Sequence, residues 1–396
     1  MKQLVVLGAT GTVGRNTLDV AARHPQRVAV LALTANRDVD TMFGLCQVHR
    51  PVLAVMRDAG AAQSLAQRLR AAGAATEVLA GADGLHRAAC LPTATHVMSA
   101  IVGAAGLLPT LAAVDAGKHV LIANKEPLVM AGPLIMAAAA RSGAVILPID
   151  SEHNAIFQCL PAGYRCGAVP QGVAGLVLTA SGGPFRDWTP AQLAAATPEA
   201  AVKHPNWVMG PKISVDSATM MNKGLELIEA ATLYDLPADR LSVVIHPESA
   251  VHSLVSYVDG SQLAQLGSPD MRVPIAHALA WPERWASGVA PLDLVALGRM
   301  HFEAPDPQRF PCLGLARAAL QAGGQAPLVL NAANEVAVQA FLDHQMGFMD
   351  MPRVIEHCLE AYPAPCANDL DAVLALDAAV RQTARAAVGR TPEMSA

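Results

Sequence analysis

Two short segments, far apart in the chain, concentrate the residue types that metal and phosphate chemistry needs. They are Pro148-Ile149-Asp150-Ser151-Glu152-His153-Asn154 and Ser217-Ala218-Thr219-Met220-Met221-Asn222-Lys223-Gly224-Leu225-Glu226. Asp150 and Glu152 follow the apolar run from Ala144 to Ile149. If the strand continues, period-two alternation turns both carboxylates the same way and makes a clamp for a hard cation. Read as one helix, the second segment sets Asn222 four residues and Lys223 three residues from Glu226, a carboxylate beside two phosphate-seeking groups. Oxygen-only ligands favour magnesium or manganese over zinc. The bland alternative makes Asp150 and Glu152 the cap and first turn of a helix starting near His153. The second acidic cluster weighs against it, and the combination reads as an enzyme's active site.

Other segments supply an anion site and a cover. Thr179-Ala180-Ser181-Gly182-Gly183-Pro184-Phe185 follows a strand and offers a hydroxyl with accessible amides, although a plain turn would look similar. Residues 184 to 211 are rich in Pro and polar residues and read as a long loop, for which a lid is the natural role. His204 and Trp207 lie near its end, and Trp207 suits either a cover over substrate or an ordinary core ring. In His246-Pro247-Glu248-Ser249-Ala250-Val251-His252, a structural role is preferred for His246, while His252 is placed to reach an anion. Lys125 follows a strand whose C-terminal end should face a cofactor crevice, where a lysine can donate to a substrate oxygen.

A Gly-rich turn points to the cofactor. Gly8-Ala9-Thr10-Gly11-Thr12-Val13-Gly14 stands between the first strand and a helix, the context in which small residues let backbone approach a pyrophosphate. After the second strand, Thr34-Ala35-Asn36-Arg37 puts a guanidinium where an NAD-selective fold usually has an acid, which suits a 2′-phosphate. Asp38 and Asp40 stand nearby and weaken that inference.

These residues need a scaffold of more than one domain. At 396 residues, 53% hydrophobic and 15% charged, the chain is ordinary globular material with two or three cores. From residue 2 to 149 aliphatic runs alternate with helical stretches: 4–7, 28–33, 52–56, 96–102, 120–123 and 144–149. That is the pattern of a Rossmann-like, doubly wound parallel sheet in an α/β chain. Candidate strands 175–179, 241–245 and 251–257 with helices around 218–233 and 272–280 describe an α+β catalytic domain over 150–284, its flap near 181–211. Prolines 282, 291, 305, 307 and 311 mark a connector over 285–310, and 311–396 reads as a C-terminal helical bundle. A net charge of −5 without any Lys/Arg run argues against nucleic acid. No apolar run reaches the length of a membrane span. Seven cysteines without a CxxC pair fit neither a disulfide framework nor a zinc site, and the odd count suits a reducing cytoplasm. Lys2 to Gly8 reads as strand and turn in place of a targeting peptide.

Taken together, the motifs resemble the 1-deoxy-D-xylulose 5-phosphate reductoisomerase family. To those already quoted are added Asn124-Lys125-Glu126, Ser181 to Arg186, His204-Pro205-Asn206-Trp207, Met209-Gly210-Pro211-Lys212-Ile213, Gly267 to Arg272 and Asn331-Ala332-Ala333-Asn334-Glu335. The resemblance spans nearly the whole chain. It implies NADPH- and metal-dependent conversion of 1-deoxy-D-xylulose 5-phosphate to 2-C-methyl-D-erythritol 4-phosphate, in the non-mevalonate isoprenoid pathway. It further implies a small phosphorylated sugar as partner, magnesium or manganese (cobalt as a third candidate), a homodimer and a cytoplasmic location. By resemblance Asp150, Glu152 and Glu226 hold the metal, and Lys125 and Ser151 meet substrate oxygens. Ser181, Ser217, Asn222 and Lys223 hold the phosphate with His204 and His252 nearby, and Trp207 matches the flap. Thr10, Gly11, Thr12, Val13, Asn36, Arg37, Asn124, Glu126 and Gly210 contact NADPH. Three positions depart from the usual pattern: Thr12 for Ser, Asn36 for Gly, where Asn tolerates positive φ, and Pro127 for Ser or Thr, which removes an amide. A semialdehyde dehydrogenase is the competing oxidoreductase and would need a nucleophilic Cys. A non-catalytic NADP-binding sensor is the competing non-enzyme.

Overall fold

The computed structural model describes residues 1–204, 209–363, 367 and 369–389. The chain packs as two compact units. The first comprises Met1–Pro127, Ile135–Asn154 and Asp270–Ala290; the second comprises Leu128–Leu134, Ala155–Pro269 and Pro291–Ala396.

The first unit is built on seven strands: β1 Lys2–Leu7, β2 Val28–Ala35, β3 Leu53–Met56, β4 Glu77–Ala80, β5 His96–Ser99, β6 His119–Ile122 and β7 Val145–Pro148. All pair in parallel in the order β4-β3-β2-β1-β5-β6-β7. Helices cover both faces of such a sheet, so its central strands are continuous apolar runs. Leu4 to Leu7, Val97, Met98 and Val120 to Ile122 are fully buried, each side chain contributing about 1.5–3 kcal/mol. Strand order reverses at β1, and the crevice beyond the carboxyl ends of β1 and β5 is where such sheets take ligands. β4 is an exposed edge strand with little apolar surface, so no apolar run marks it in the sequence. β5 stops at Ser99, short of the expected Val102, because Gly103 turns the chain with φ 77°.

In the second unit β8 (Val173–Ala180), β9 (Leu241–Ile245), β10 (Val251–Tyr257) and β11 (Gln262–Leu266) form a sheet in the order β11-β10-β8-β9. β8 and β9 run parallel; β10 is antiparallel to both its neighbours. β11, largely exposed, was not anticipated. Four long helices, Pro311–Ala322, Ala326–Leu342, Met351–Ala361 and Leu370–Val388, make up the C-terminal helical region. Their core takes in Phe341, Phe348 and Phe185. Phe185 corrects the expectation of a loop over 184–211. Two short helices, Pro190–Ala194 and Pro198–Ala201, are capped there by Thr189 and Thr197, and Leu193 and Ala201 join the same core.

His96 and His119 open β5 and β6 with ring centroids 4.7 Å apart. His96 is 5% exposed; burial first, then the charges of Lys2 and His119, push its imidazole from 6.5 down to about 3. The unfolded chain therefore accepts a proton that the folded chain refuses. Stability complete above pH 6.5 is lost as pH falls through about 3. Thermal midpoints should drop progressively below pH 6.5, less steeply in His96→Gln; equal slopes would show that His96 plays no part.

Candidate active site

The carboxyl end of the first unit's sheet opens at the turn after β1. Gly8 has φ 87°, and a Cβ there would fall 2.6 Å from the Ala100 carbonyl oxygen. A Cβ at Gly14 would fall 2.3 Å from the Gly8 carbonyl oxygen. These two glycines serve close packing of turn, strand and helix. Gly11 differs: it caps helix Thr12–Arg23 without a side-chain bond, a Cβ there would meet nothing closer than 3.5 Å, and the helix's first turn holds no acid. Thr10, Gly11, Thr12 and Val13 thus surround a bare helix N-terminus suited to a phosphate.

Arg37 stands beyond β2, 78% exposed, its guanidinium 3.3 Å from Asp58. Backbone bonds from Arg57 to Ala35 and from Asp58 to Asn36 hold the two loops together. Asp58 also caps helix Ala59–Ala71. The Ala61 amide, then Arg37, keep its carboxyl below the usual range. Asp38 and Asp40 are occupied elsewhere: Asp38 caps the next helix through the Thr41 amide, and Asp40 pairs with Arg68. Asn36 is not among the left-handed non-glycine residues, which are Arg50, Met220, Asp235, Ser249 and His344 among those described. Its replacement of Gly therefore costs no strain.

Asn124 is buried after β6, and its carbonyl accepts from Ser99 Oγ at 3.1 Å. Ser99 in turn bonds Thr110 Oγ1 at 2.6 Å, and a Cβ at Gly106 would fall 2.4 Å from Asn124 Nδ2. Glu126 begins the helix Glu126–Ser142, with Pro127 in its first turn, where the missing amide would have had no intrahelical partner. Lys125 is buried, not a surface lysine, and its Nζ lies 2.6 Å from Asp150 Oδ2.

Asp150 and Glu152 do not ride a continued strand. β7 ends at Pro148 and helix Ser151–Cys159 begins at once. The helical start that looked like the bland alternative is what occurs: the Asp150 carbonyl accepts the Asn154 amide at 2.8 Å, and Asp150 Oδ1 accepts the Ser151 amide at 3.0 Å. The turn still brings a carboxylate oxygen of each within 4.8 Å of the other. Ser151 Oγ donates to Glu152, and the Asn154 amide group reaches Pro148 O.

The second unit carries the remaining groups. The Ser217 to Glu226 segment is not one helix. Met220, with φ 59°, separates Pro211–Ala218 from Met221–Tyr234. Ser217 therefore stands on the first helix and Asn222, Lys223 and Glu226 on the second. Glu226 is fully buried, and its two carboxylate oxygens accept from Asn222 Nδ2 and Lys223 Nζ. Three- and four-residue spacing is enough for this, as the sequence indicated. Gly224 lets the helix lie close to Pro311–Ala322, since a Cβ there would fall 2.4 Å from Ala316 Cβ.

The Ser181 loop is shaped by Gly182 and Gly183, with φ 84° and 70°. A Cβ at Gly183 would fall 2.5 Å from Ser217 O, so the loop rests directly on the end of helix 211–218. Ser181 Oγ accepts the Gly183 amide at 3.1 Å and lies 2.9 Å from His204 Nε2. Burial lowers His204 to about 4. His252 also falls to about 4 through burial, with His246 and Lys223 adding repulsion and the Gln265 bond opposing. Both are neutral near pH 7. His246 is structural: its Nε2 accepts the Ala250 amide, its Nδ1 faces His301 O, and its ring stacks on Phe302. Gly210 caps helix 211–218 with open space around it. Trp207 lies outside the described residues.

Some supporting groups carried no signal in sequence. Gln265 holds His252 Nδ1 at 3.0 Å from an exposed strand, and Ser99 supports Asn124 across 25 residues. Asp216 lies one residue before the Ser217 to Glu226 segment. It is 1% exposed and pairs with Lys212 at 2.8 Å. The only hint was an acid amid apolar helix positions.

Residues 4–132 match the family described as 1-deoxy-D-xylulose 5-phosphate reductoisomerase, and residues 146–234 match its C-terminal domain. Residues 266–383 match a further DXP reductoisomerase C-terminal domain. A 1-deoxy-D-xylulose 5-phosphate reductoisomerase of Methylococcus capsulatus is 58% identical over 386 residues, covering 97% of this chain and 98% of the relative. That of Pseudomonas putida strain W619 is 59% identical, covering 97% of each. A crystal structure of DOX-P reductoisomerase in complex with NADPH, fosmidomycin and magnesium superimposes with a TM-score of 0.94 at 48% identity, over 98% of both chains. The Zymomonas mobilis enzyme in complex with NADPH gives 0.90 at 47%, over 98% of this chain and 99% of that one.

Close packing at Gly224 is directly testable. Gly224→Ala should cost about 1–3 kcal/mol of stability through overpacking. Gly314→Ala on the facing helix, where a Cβ meets nothing, should be neutral or mildly stabilising. Equal melting temperatures for both variants would remove Gly224 as a packing constraint.

Proposed function

The chain belongs to the 1-deoxy-D-xylulose 5-phosphate reductoisomerase family, and from this premise we propose how its residues divide the work. The enzyme isomerises and reduces 1-deoxy-D-xylulose 5-phosphate to 2-C-methyl-D-erythritol 4-phosphate, using NADPH and a divalent metal. Asp150, Glu152 and Glu226 hold the metal, magnesium or manganese. The observation that carries this reading is the pair of carboxylates set within 4.8 Å of each other at the start of one helix, an arrangement of like charges that a cation stabilises. The donor set is all oxygen, which fits a hard ion. When bound, such an ion supplies Lewis-acid polarisation of the substrate ketone and its neighbouring hydroxyl.

The other roles follow from chemistry each group can perform. Lys125, poised against Asp150, donates to a substrate oxygen, and Ser151 adds a hydroxyl beside it. Ser181, Ser217, Asn222 and Lys223 bind the phosphate, with neutral His204 and His252 beside them, the His252 Nδ1 proton being given to Gln265. Gripping a group remote from the reacting carbons lets binding energy serve catalysis. NADPH supplies hydride; its pyrophosphate would rest against Thr10 to Val13 and its 2′-phosphate against Arg37, with Asn36, Asn124, Glu126 and Gly210 completing its contacts. Trp207, outside the described residues, is assigned by family resemblance to the substrate's cover. In this division residues 1–149 serve the cofactor, 150–284 metal and sugar with the flap near 181–211, 285–310 connection and 311–396 support.

We place the enzyme in the cytoplasm as a homodimer. No helix among the described residues is long and apolar enough to cross a membrane. The outer edge of β11 pairs with no strand among those residues and shows Leu263 and Leu266 to solvent, an edge that a second copy can cover. The alternative dehydrogenase has little support, because burial raises the thiols of Cys46 and Cys358 to about 11 and Cys312 to about 12. A nucleophile needs the opposite shift.

Absorbance of NADPH, followed with deoxyxylulose phosphate and a titrated metal, tests the assignment. Glu226→Gln is expected to shift the metal titration to higher concentration and cut turnover at least about 100-fold, or about 2.7 kcal/mol. An unchanged titration with normal turnover removes Glu226 from the metal. Arg37→Ala should raise KM for NADPH while leaving NADH untouched; equal effects on both would assign the 2′-phosphate elsewhere.

A further inference from the structure

The segment Asn331-Ala332-Ala333-Asn334-Glu335 has no part in the division of labour above, yet its two asparagines are buried in the middle of helix 326–342. Burying an amide costs free energy unless it is hydrogen-bonded, so each asparagine must answer to something specific. Asn331 serves the C-terminal helices themselves. Its Nδ2 donates to Glu335 at 3.4 Å, and Glu335 binds Arg381, which also pairs with Asp377. Asn334 serves a different neighbour. Its Nδ2 donates to Asp216 Oδ1 at 2.8 Å, while Asp216 Oδ2 takes the Lys212 ammonium at 2.8 Å.

Asp216 and Asn334 are each 1% exposed, so the carboxylate has no water to replace a lost partner. Around Asp216 stand Lys212 and Thr219 from its own stretch of chain and Cys312 from helix 311–322. The next residue is Ser217, against whose carbonyl Gly183 is pressed. Two residues beyond Ala218 the chain reverses at Met220 and delivers Asn222 and Lys223. Helix 211–218 is thus a rail shared by Ser217 and the Ser181 loop, and the buried carboxylate is its fixed point.

We propose that Asn334 is a positioning residue for phosphate recognition: by holding Asp216 it fixes the rotation of helix 211–218, and with it Ser217 and the Ser181 loop. It touches none of those groups itself. The inference rests on the reading of Ser181, Ser217 and Lys223 as phosphate-binding. It gives the C-terminal helical region a part in substrate affinity beyond support.

Steady-state kinetics with NADPH and saturating magnesium test it. Asn334→Leu fills similar space but cannot donate. It is expected to raise KM for deoxyxylulose phosphate about tenfold, the size of one hydrogen bond to a buried charge. Its kcat should stay within about twofold and its NADPH dissociation constant should not change, because only the remote grip is loosened. Preference for the phosphorylated sugar over unphosphorylated deoxyxylulose should fall by the same factor. Asp216→Asn should raise KM likewise, and the double variant should be no worse than Asp216→Asn alone, since both act through one bond. If Asn334→Leu yields no soluble protein, Asn334→Ala, which also lacks a donor, is measured with the same expectation. A fall in kcat matched by the folded fraction, with KM and phosphate preference unchanged, would reduce Asn334 to a packing residue and overturn the proposal, as would additive effects in the double variant. Ser217→Ala separates the two readings. If it raises KM while Asn334→Leu does not, only the inference fails; if Ser217→Ala also leaves phosphate preference intact, the phosphate assignment fails with it.

Discussion

A carboxylate with no access to water must be surrounded by donors, and Glu226 shows what that requirement imposes. It is wholly buried on helix 221–234, and Asn222 and Lys223 from its own helix supply the bonds that water would otherwise make. Losing the Lys223 ammonium would remove an opposite charge from beside the buried carboxylate in low dielectric, a penalty of several kcal/mol. The helix must therefore be sealed on its other side by apolar contact. Gly224 against Ala316 provides it, and the surrounding core of Leu225, Ile228, Cys312 and Ala333 continues it.

Glycine performs two distinct jobs in the binding elements. At Gly8, Gly14, Gly183 and Gly224 it permits approach, because any Cβ would fall within 2.6 Å of a neighbouring atom. At Gly11 and Gly210 it leaves open space at a helix N-terminus without a side-chain cap. Where approach is needed, one methyl group would displace a loop or helix that carries polar side chains. Where space is needed, bare amides remain available to an anion.

Polar residues behind these elements set their orientation. Ser99 and Thr110 hold Asn124, Gln265 holds His252, and Asn334 with Lys212 holds Asp216. Each supporting bond joins residues on different elements or loops, apart from the helical pair Lys212 and Asp216.

Much of this protein is legible in its residues alone. Six of seven strands of the first sheet show as apolar runs because a parallel sheet buries both faces, and the turn at Gly8 to Gly14 declares its context. Asn222, Lys223 and Glu226 meet because helical spacing alone brings them together. Tertiary structure decided the rest. β4 and β11 are edge strands whose exposed sequences carry no periodic signal, so pairing with a neighbour defines them. Asp150 and Glu152 converge through a helical turn where a strand was expected, since the chain leaves the sheet at Pro148. The helix expected through Ser217 breaks at Met220, a left-handed residue held there by packing that no local propensity specifies. Asn334 found Asp216 across 118 residues of chain, and spacing in sequence has no means of recording a contact made by folding.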